Sequence, residues 1–303
     1  VNKLPLDGAI CAGRPLDTRQ IAGLATYDCT EGQGEPLHFL HGNGFCGLTL
    51  APLAEELSQG NQPLLFTDLP GHGGSAGPDV STQPDWNRMA DRVADSIAAR
   101  IDRPVTGIGH SMGGVVTLLA AARYPDLFTR IVLLDPVLFS REVIFYQRLM
   151  RKTGLWQRTS LVRSVSRRRA EWPSLDALRT DLSTKSLYRN WTPGALEAFS
   201  HYGAEITDSG AVTLACDPRW EASIFGSYPR GLWQAVRAVS IPVDIIVATR
   251  SYPFIRPAVR RAVARNKQIV QHIFDGGHCF PMELPEAAAV QINDILVDSG
   301  REA

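Results

Sequence analysis

Short apolar runs alternate with helix-length amphipathic segments over most of the chain. Leu37–Leu40, Leu64–Thr67, Val105–Ile108, Ile131–Leu134, Val243–Ala248 and Ile269–Phe274 are each four to six residues long, as buried strands are. Ile21–Cys29 reads as an early edge strand. Between them, Leu50–Ser58 has a helical pattern. Pro84–Ile101 places Met89, Val93, Ile97 and Ile101 on one helix face. Met112–Arg123 reads as a helix packed on a sheet, and Pro285–Val297 as a closing helix with Pro285 in its first turn. Strands that are apolar throughout, separated by helices, predict a mainly parallel sheet covered on both faces.

The alternation breaks between Val137 and Ser240. That stretch is rich in Arg, Trp and helical pattern, and carries a net charge of +6 in a chain whose formal net charge is zero. We expect a core domain built from 1–136 and 241–303, with 137–240 inserted as a helical cap. Within the insertion, Ile206–Cys216, centred on Asp208-Ser-Gly210, reads as a hairpin returning toward the core. Arg158, Arg163, Arg167, Arg168 and Arg169 form a basic cluster: a solvated helix face, or an attractor of anionic ligands.

The 303 residues suit one large domain with an insertion. Zero net charge gives no bias toward nucleic acid or an anionic membrane. No apolar run approaches the roughly 20 residues of a membrane span. No basic stretch followed by an apolar core opens the sequence, so no signal peptide is expected. Five scattered cysteines without a C-x-x-C pair disfavour a disulfide framework or a zinc site and fit a cytoplasmic location.

The chemistry begins at Gly109-His-Ser-Met-Gly113, which follows one apolar strand and opens a helix. This G-x-S-x-G pattern in strand–turn–helix context is a nucleophile elbow. Its turn is so tight that Gly109, Gly113 and Gly114 are needed for clearance, and it exposes the Ser111 hydroxyl. A serine needs a base. His278 follows the last strand, in Phe274-Asp-Gly-Gly-His-Cys, at the sheet edge where Ser111 must lie; Gly276 and Gly277 would let that loop turn sharply. Acyl transfer also needs oxyanion donors. The Met112 N–H is one. The loop Leu40-His-Gly-Asn-Gly-Phe45 supplies the other, from Asn43 or Gly44. His41 and His72 read as anchors of their loops, and His110 as facing away from Ser111.

His41-Gly-Asn-Gly44, Asp68-Leu-Pro-Gly-His-Gly-Gly-Ser75, Gly109-His-Ser-Met-Gly-Gly114 and Gly276-Gly-His-Cys-Phe-Pro281 together resemble the α/β-hydrolase superfamily, in that superfamily's order. The resemblance covers about residues 36–136 and 241–298. It implies an eight-stranded, mostly parallel sheet with helices on both faces, a helical cap and a Ser-His-acid triad. The chain departs from the pattern at the acid. Relatives carry an Asp about four residues beyond the strand equivalent to Val243–Ala248; here Tyr252 stands there, and no Asp or Glu occurs from Ile245 to Phe274. Asp135, at the end of the neighbouring strand, is the candidate: strand ends lie about 5 Å apart, so it can reach the same imidazole. Asp244 starts its strand, at the wrong edge, and Asp275 is too close to His278 along the chain.

The resulting expectation is a serine hydrolase acting on a small-molecule ester or related acyl bond through Ser111, His278 and Asp135, with no metal and no organic cofactor. Thioesterase, lactonase, carbon–carbon bond hydrolase and perhydrolase chemistry share the same constellation. A low-turnover ligand receptor on the same scaffold is the alternative from another class, motivated by the missing family acid. Nothing in the sequence sets the oligomeric state.

Overall fold

The computed structural model describes residues 2–3, 9–58, 62–79, 82–153, 155 and 159–298. Eight strands form the main sheet: β1 (Asp17–Ile21), β2 (Leu24–Cys29), β3 (Leu37–Leu40), β4 (Leu64–Thr67), β5 (Val105–His110), β6 (Phe128–Leu134), β7 (Val243–Arg250) and β8 (Ile269–Gly277). Their spatial order is β8-β7-β6-β5-β3-β4-β2-β1. From β8 to β4 every pairing is parallel; β2 is antiparallel to both its neighbours.

The sheet holds its place because successive strand residues feed opposite layers. Phe39, Phe66, Val132, Leu134 and Ile246 join one buried cluster, with Leu53 and Leu57 of α1 (Ala51–Ser58) and Ala288 and Ile292 of a closing helix, Pro285–Asp298. Leu40, Leu65, Ile131, Leu133, Ile245 and Val247 join the other, with Met89, Val93 and Ile97 of α2 (Trp86–Arg100) and Val115, Leu118 and Leu119 of α3 (Met112–Arg123). Helix α2 starts where Asp85 accepts hydrogen bonds from the Asn87 and Arg88 N–H groups, and keeps its apolar face inward.

Two expectations at the strand ends are corrected. Ile21–Cys29 is not one edge strand: Ala22 and Gly23 both adopt positive φ and fold it into the β1–β2 hairpin, with β1 at the edge. Gly276 and Gly277 lie within β8, and neither has positive φ. At Gly276 a Cβ would press on the Phe274 ring and on Phe280, so the glycine gives clearance rather than a turn. The α1 segment also differs in detail, since Gly47–Leu50 is a 3₁₀ turn leading into it.

None of the eight sheet strands comes from 137–240. That segment holds α4 (Arg141–Lys152), α5 (Ser160–Ser166), α6 (Leu175–Ser183), α7 (Pro193–Tyr202), α8 (Pro218–Phe225) and α9 (Leu232–Ala238). Its predicted hairpin is present, Ala204–Ile206 against Val212–Leu214, with Gly210 at positive φ in the turn. The hairpin pairs with Asn2–Lys3 and Glu171–Trp172 in a small separate sheet and adds nothing to the main one. Helix α9 packs on α3. Two further helices, α10 (Ile255–Val263) and α11 (Phe280–Glu283), follow β7 and β8, and Pro285–Asp298 is α12. Among the described residues no helix is long and apolar enough to cross a membrane.

Candidate active site

Strand register brings the chemistry together. His110 pairs with Leu134 across β5 and β6, so Ser111 and Asp135 both follow at the same level of the sheet edge. The Ser111 N–H donates to Leu134 O at 3.0 Å, and the Asp135 N–H to Ile246 O at 2.8 Å, which ties β6 to β7 at that edge. Beyond Ala248 the β7–β8 register shifts, and His278 emerges directly after Gly277.

Ser111 has φ 55° and ψ −114°, and Asp135 has φ 44°. Both are strained positions for residues carrying a Cβ. The strain at Ser111 is held by close packing: a Cβ on Gly113 would overlap the Leu40 and His41 carbonyl oxygens, and one on Gly109 would sit 2.7 Å from Gly113 O. His278 Nε2 lies 3.0 Å from Ser111 Oγ, and His278 Nδ1 lies 2.5 Å from Asp135 Oδ2. Asp135 is fully buried. Its Oδ1 accepts the Ala248 N–H at 3.0 Å, and its Oδ2 also accepts from the Ser251 hydroxyl. Asp244 instead meets His272, and Asp275 meets Thr249 and Arg250 at the surface, so neither rival carboxylate faces His278. Tyr252 packs edge-on against the imidazole, with ring centroids 4.8 Å apart.

The histidines of the neighbouring motifs are buried braces. The Leu69 N–H donates to His41 Nε2, and His41 Nδ1 donates to Gly42 O. The Gly44 N–H donates to His72 Nε2 at 3.0 Å, and His72 Nδ1 donates to Pro70 O. His110 turns away from Ser111, and its Nε2 donates to the His278 carbonyl at 2.9 Å. Burial holds the pKa of His72 down to about 4 and that of His110 to about 3, so both are neutral. The Gly44 amide is therefore committed to His72. The N–H groups of Asn43 and Met112 have no hydrogen-bond acceptor among the described residues.

Ser111 and His278 open onto a cavity of about 330 Å³. Its walls are mostly apolar, including Phe45, Trp86, Met112, Phe139, Val143, Leu161, Ile224 and Phe254. Asn43, Gln147 and Glu221 are polar exceptions. A larger surface groove of about 700 Å³, bordered by Arg141, Arg148, Arg230 and Arg237, contains none of the Ser111 cluster.

Glu221 was not singled out by the sequence. It is buried, 2.9 Å from Arg168 Nη2, and burial pushes its carboxyl up to about 7 against the pull of Arg168. Arg168 thus leaves the basic cluster for an internal partner. Arg163, Arg167 and Arg169 are exposed, and Arg158 lies outside the described residues. Among the described residues no group of three His, Cys, Asp or Glu side chains is placed to hold a metal ion.

Residues 39–291 match the model of the alpha/beta hydrolase family. The chain belongs to that family. Its eight-stranded sheet and helical layers are the α/β-hydrolase fold. Among curated proteins, 98 residues are 40% identical to a pimeloyl-[acyl-carrier protein] methyl ester esterase of Chromobacterium violaceum, covering 32% of this chain and 35% of that protein. A further 186-residue match is 29% identical to an sn-1-specific diacylglycerol lipase of Danio rerio, covering 60% of this chain and 56% of the relative. The chain thus spans from about a third to just over half of these relatives' lengths. Among solved structures, a Mycobacterium tuberculosis esterase superposes with TM-score 0.72 at 21% identity, covering 93% of this chain and 91% of that one. A thioesterase domain from the curacin biosynthetic pathway superposes at 0.74 with 15% identity, covering 91% and 98%.

Proposed function

We propose that this protein is a serine hydrolase that cleaves a carboxylic ester or related acyl bond through an acyl-enzyme. One observation carries the reading: Ser111, His278 and Asp135 form a continuous hydrogen-bonded chain at the mouth of an apolar cavity. Ser111 Oγ attacks the substrate carbonyl as His278 Nε2 takes its proton. Asp135 holds the proton on Nδ1 and stabilises the imidazolium. The tetrahedral oxyanion takes hydrogen bonds from the Met112 and Asn43 N–H groups, since the Gly44 amide is spent on His72. Collapse expels the alcohol, protonated by His278. Water, deprotonated by the same imidazole, then releases the acid and restores Ser111.

In this reading 137–240 is the cap. It supplies Val143, Gln147, Leu161, Leu187, Glu221 and Ile224 to the cavity wall. A cavity near 330 Å³ with mostly apolar walls suits an acyl chain. The receptor alternative was motivated by a missing acid, and a carboxylate beside His278 removes that motive. The relatives named above include esterases and a thioesterase, so esters and thioesters of increasing acyl length are the substrates to screen.

The test combines labelling with turnover. A fluorophosphonate should label wild-type protein at Ser111, and Ser111→Ala should lose labelling and about 10³-fold or more in kcat while its circular dichroism is unchanged. Activity of Ser111→Ala within about tenfold of wild type would refute the assignment.

A further inference from the structure

Helix α4 turns one side toward the cavity above Ser111. Val143 and Gln147, one turn apart, both line it. Gln147 is 2% exposed and is the one buried side chain among the described residues of α4. Its Oε1 is buried and has no hydrogen-bond partner among the described residues. The rest of the cavity wall is mostly apolar, with Phe139, Val143, Leu161 and Phe225 among its residues. A core position on an amphipathic helix is ordinarily filled by an aliphatic side chain, because burying an amide oxygen without a donor is unfavourable. The other buried carboxyl or amide in this wall, Glu221, has Arg168 beside it and is accounted for.

We infer that Gln147 forms a polar binding subsite that accepts a hydrogen bond from a hydroxyl or amide N–H carried on the substrate chain. The inference deepens the acyl-hydrolase reading and rests on it. The subsite is lined by the inserted segment, whereas Ser111 and His278 come from the sheet edge, so a substrate held by both has its scissile carbonyl and its donor group on separate walls. A site built to accept a hydrogen bond discriminates against the analogue that lacks it, because the protein group is then left unpaired. Between substrates, the subsite therefore selects a donor-bearing chain over an alkyl chain of equal length.

The experiment compares hydroxyl-bearing esters with their methyl ethers, which keep the oxygen as an acceptor, remove the donor and add one methyl group. Ethyl hexanoates with the hydroxyl on carbon 3 or 6 place it on the acyl side. Hexanoate monoesters of ethylene glycol and butane-1,4-diol place it on the alcohol side. In wild type at least one hydroxyl compound should exceed its methyl ether in kcat/KM by about tenfold. Gln147→Leu should level that ratio, the loss falling on kcat/KM of the hydroxyl compound, and Gln147→Glu, which keeps an acceptor, should retain the preference. Equal ratios throughout in wild type, or a preference that survives Gln147→Leu, would overturn the subsite. Failure of the underlying reading looks different: no ester is hydrolysed and Ser111 takes no fluorophosphonate, which overturns both.

Discussion

Four buried histidines make acid the perturbation to which this fold should respond most steeply. Burial holds His38 and His110 down to about 3 and His72 to about 4, and His41 well below its ordinary value. In the unfolded chain each returns to about 6.5. Below that pH the unfolded state binds protons that the folded state refuses, so stability falls as pH falls. Each histidine contributes a slope approaching about 1.4 kcal/mol per pH unit until its folded value is reached. Glu221 opposes this: its carboxyl, raised to about 7 by burial, binds a proton in the folded state before the unfolded chain does. Four histidines against one carboxyl leave a net slope of roughly 4 kcal/mol per unit near pH 5.5, and a loss of about 6 kcal/mol between pH 7.5 and 5. That is comparable to the whole stability of a typical domain. Urea unfolding at pH 7.5, 6.5, 5.5 and 5.0 measures it. His38→Gln should remove about one proton's worth of slope whatever it costs at neutral pH, since His38 meets only the Thr67 hydroxyl among the described residues. A stability change under about 2 kcal/mol from pH 7.5 to 5 would refute the claim that these rings stay neutral in the fold.

Asp135→Asn should lower kcat by orders of magnitude with little change in KM. Adding Tyr252→Asp, which puts a carboxylate where the Tyr252 ring now abuts His278, should restore part of that loss, as steady-state kinetics of single and double variants would show. Gly113→Ala should destabilise by about 3 kcal/mol or more, or prevent folding, because its methyl would collide with two backbone carbonyls that cannot yield; thermal unfolding reports it. Glu221→Gln should be neutral or stabilising at pH 8, by up to about 3 kcal/mol, because a carboxyl raised to about 7 is ionised there at a net cost despite Arg168; urea midpoints read it.

The sheet was legible because its strands are short runs, apolar throughout, set between helix-length segments; the structure then sorts Phe39 from Leu40 and Leu134 from Leu133 into opposite layers. Helix α3 was legible to its exact bounds, Met112–Arg123, since glycine clearance and a continuous apolar run mark it at both levels. The sequence also pointed to the three residues that the structure brings together at Ser111. What it hid were contacts whose partners lie far apart in the chain and follow no period. The Arg168–Glu221 pair, the Ser251 hydroxyl on Asp135 and the His110 donation to His278 O are of this kind. Gln147 was hidden for another reason: in a helix with three Arg, one Lys and one Glu, one more polar residue reads as a solvated position until the fold turns it inward. The β1–β2 turn escaped because Ala22 takes a positive φ that alanine rarely announces.

The position of Asp135, the acid of the proposed triad, follows from the sheet rather than from a motif. Strands β6 and β7 are paired in register, Leu134 with Ile246, and the Asp135 N–H continues that ladder by donating to Ile246 O. A carboxylate at the end of either strand therefore faces the same space beneath His278. What a carboxylate needs there is support for its charge in a site closed to water. At the end of β6 that support is built in: the Ala248 N–H and the Ser251 hydroxyl, both from the end of β7, donate to Asp135 and leave Oδ2 aimed at His278 Nδ1. The segment after β7 thus still serves the acid, by donating hydrogen bonds to it instead of carrying it. Tyr252 is then free of that task, and its ring closes one side of the imidazole and lines the cavity. Removing the β7 support should therefore act through Asp135. Ser251→Ala should lower kcat less than Asp135→Asn does, and in the Asp135→Asn background it should add little, because the hydroxyl would no longer have a charge to stabilise. A full additive loss in the double variant would mean that Ser251 acts on the site by a route other than Asp135.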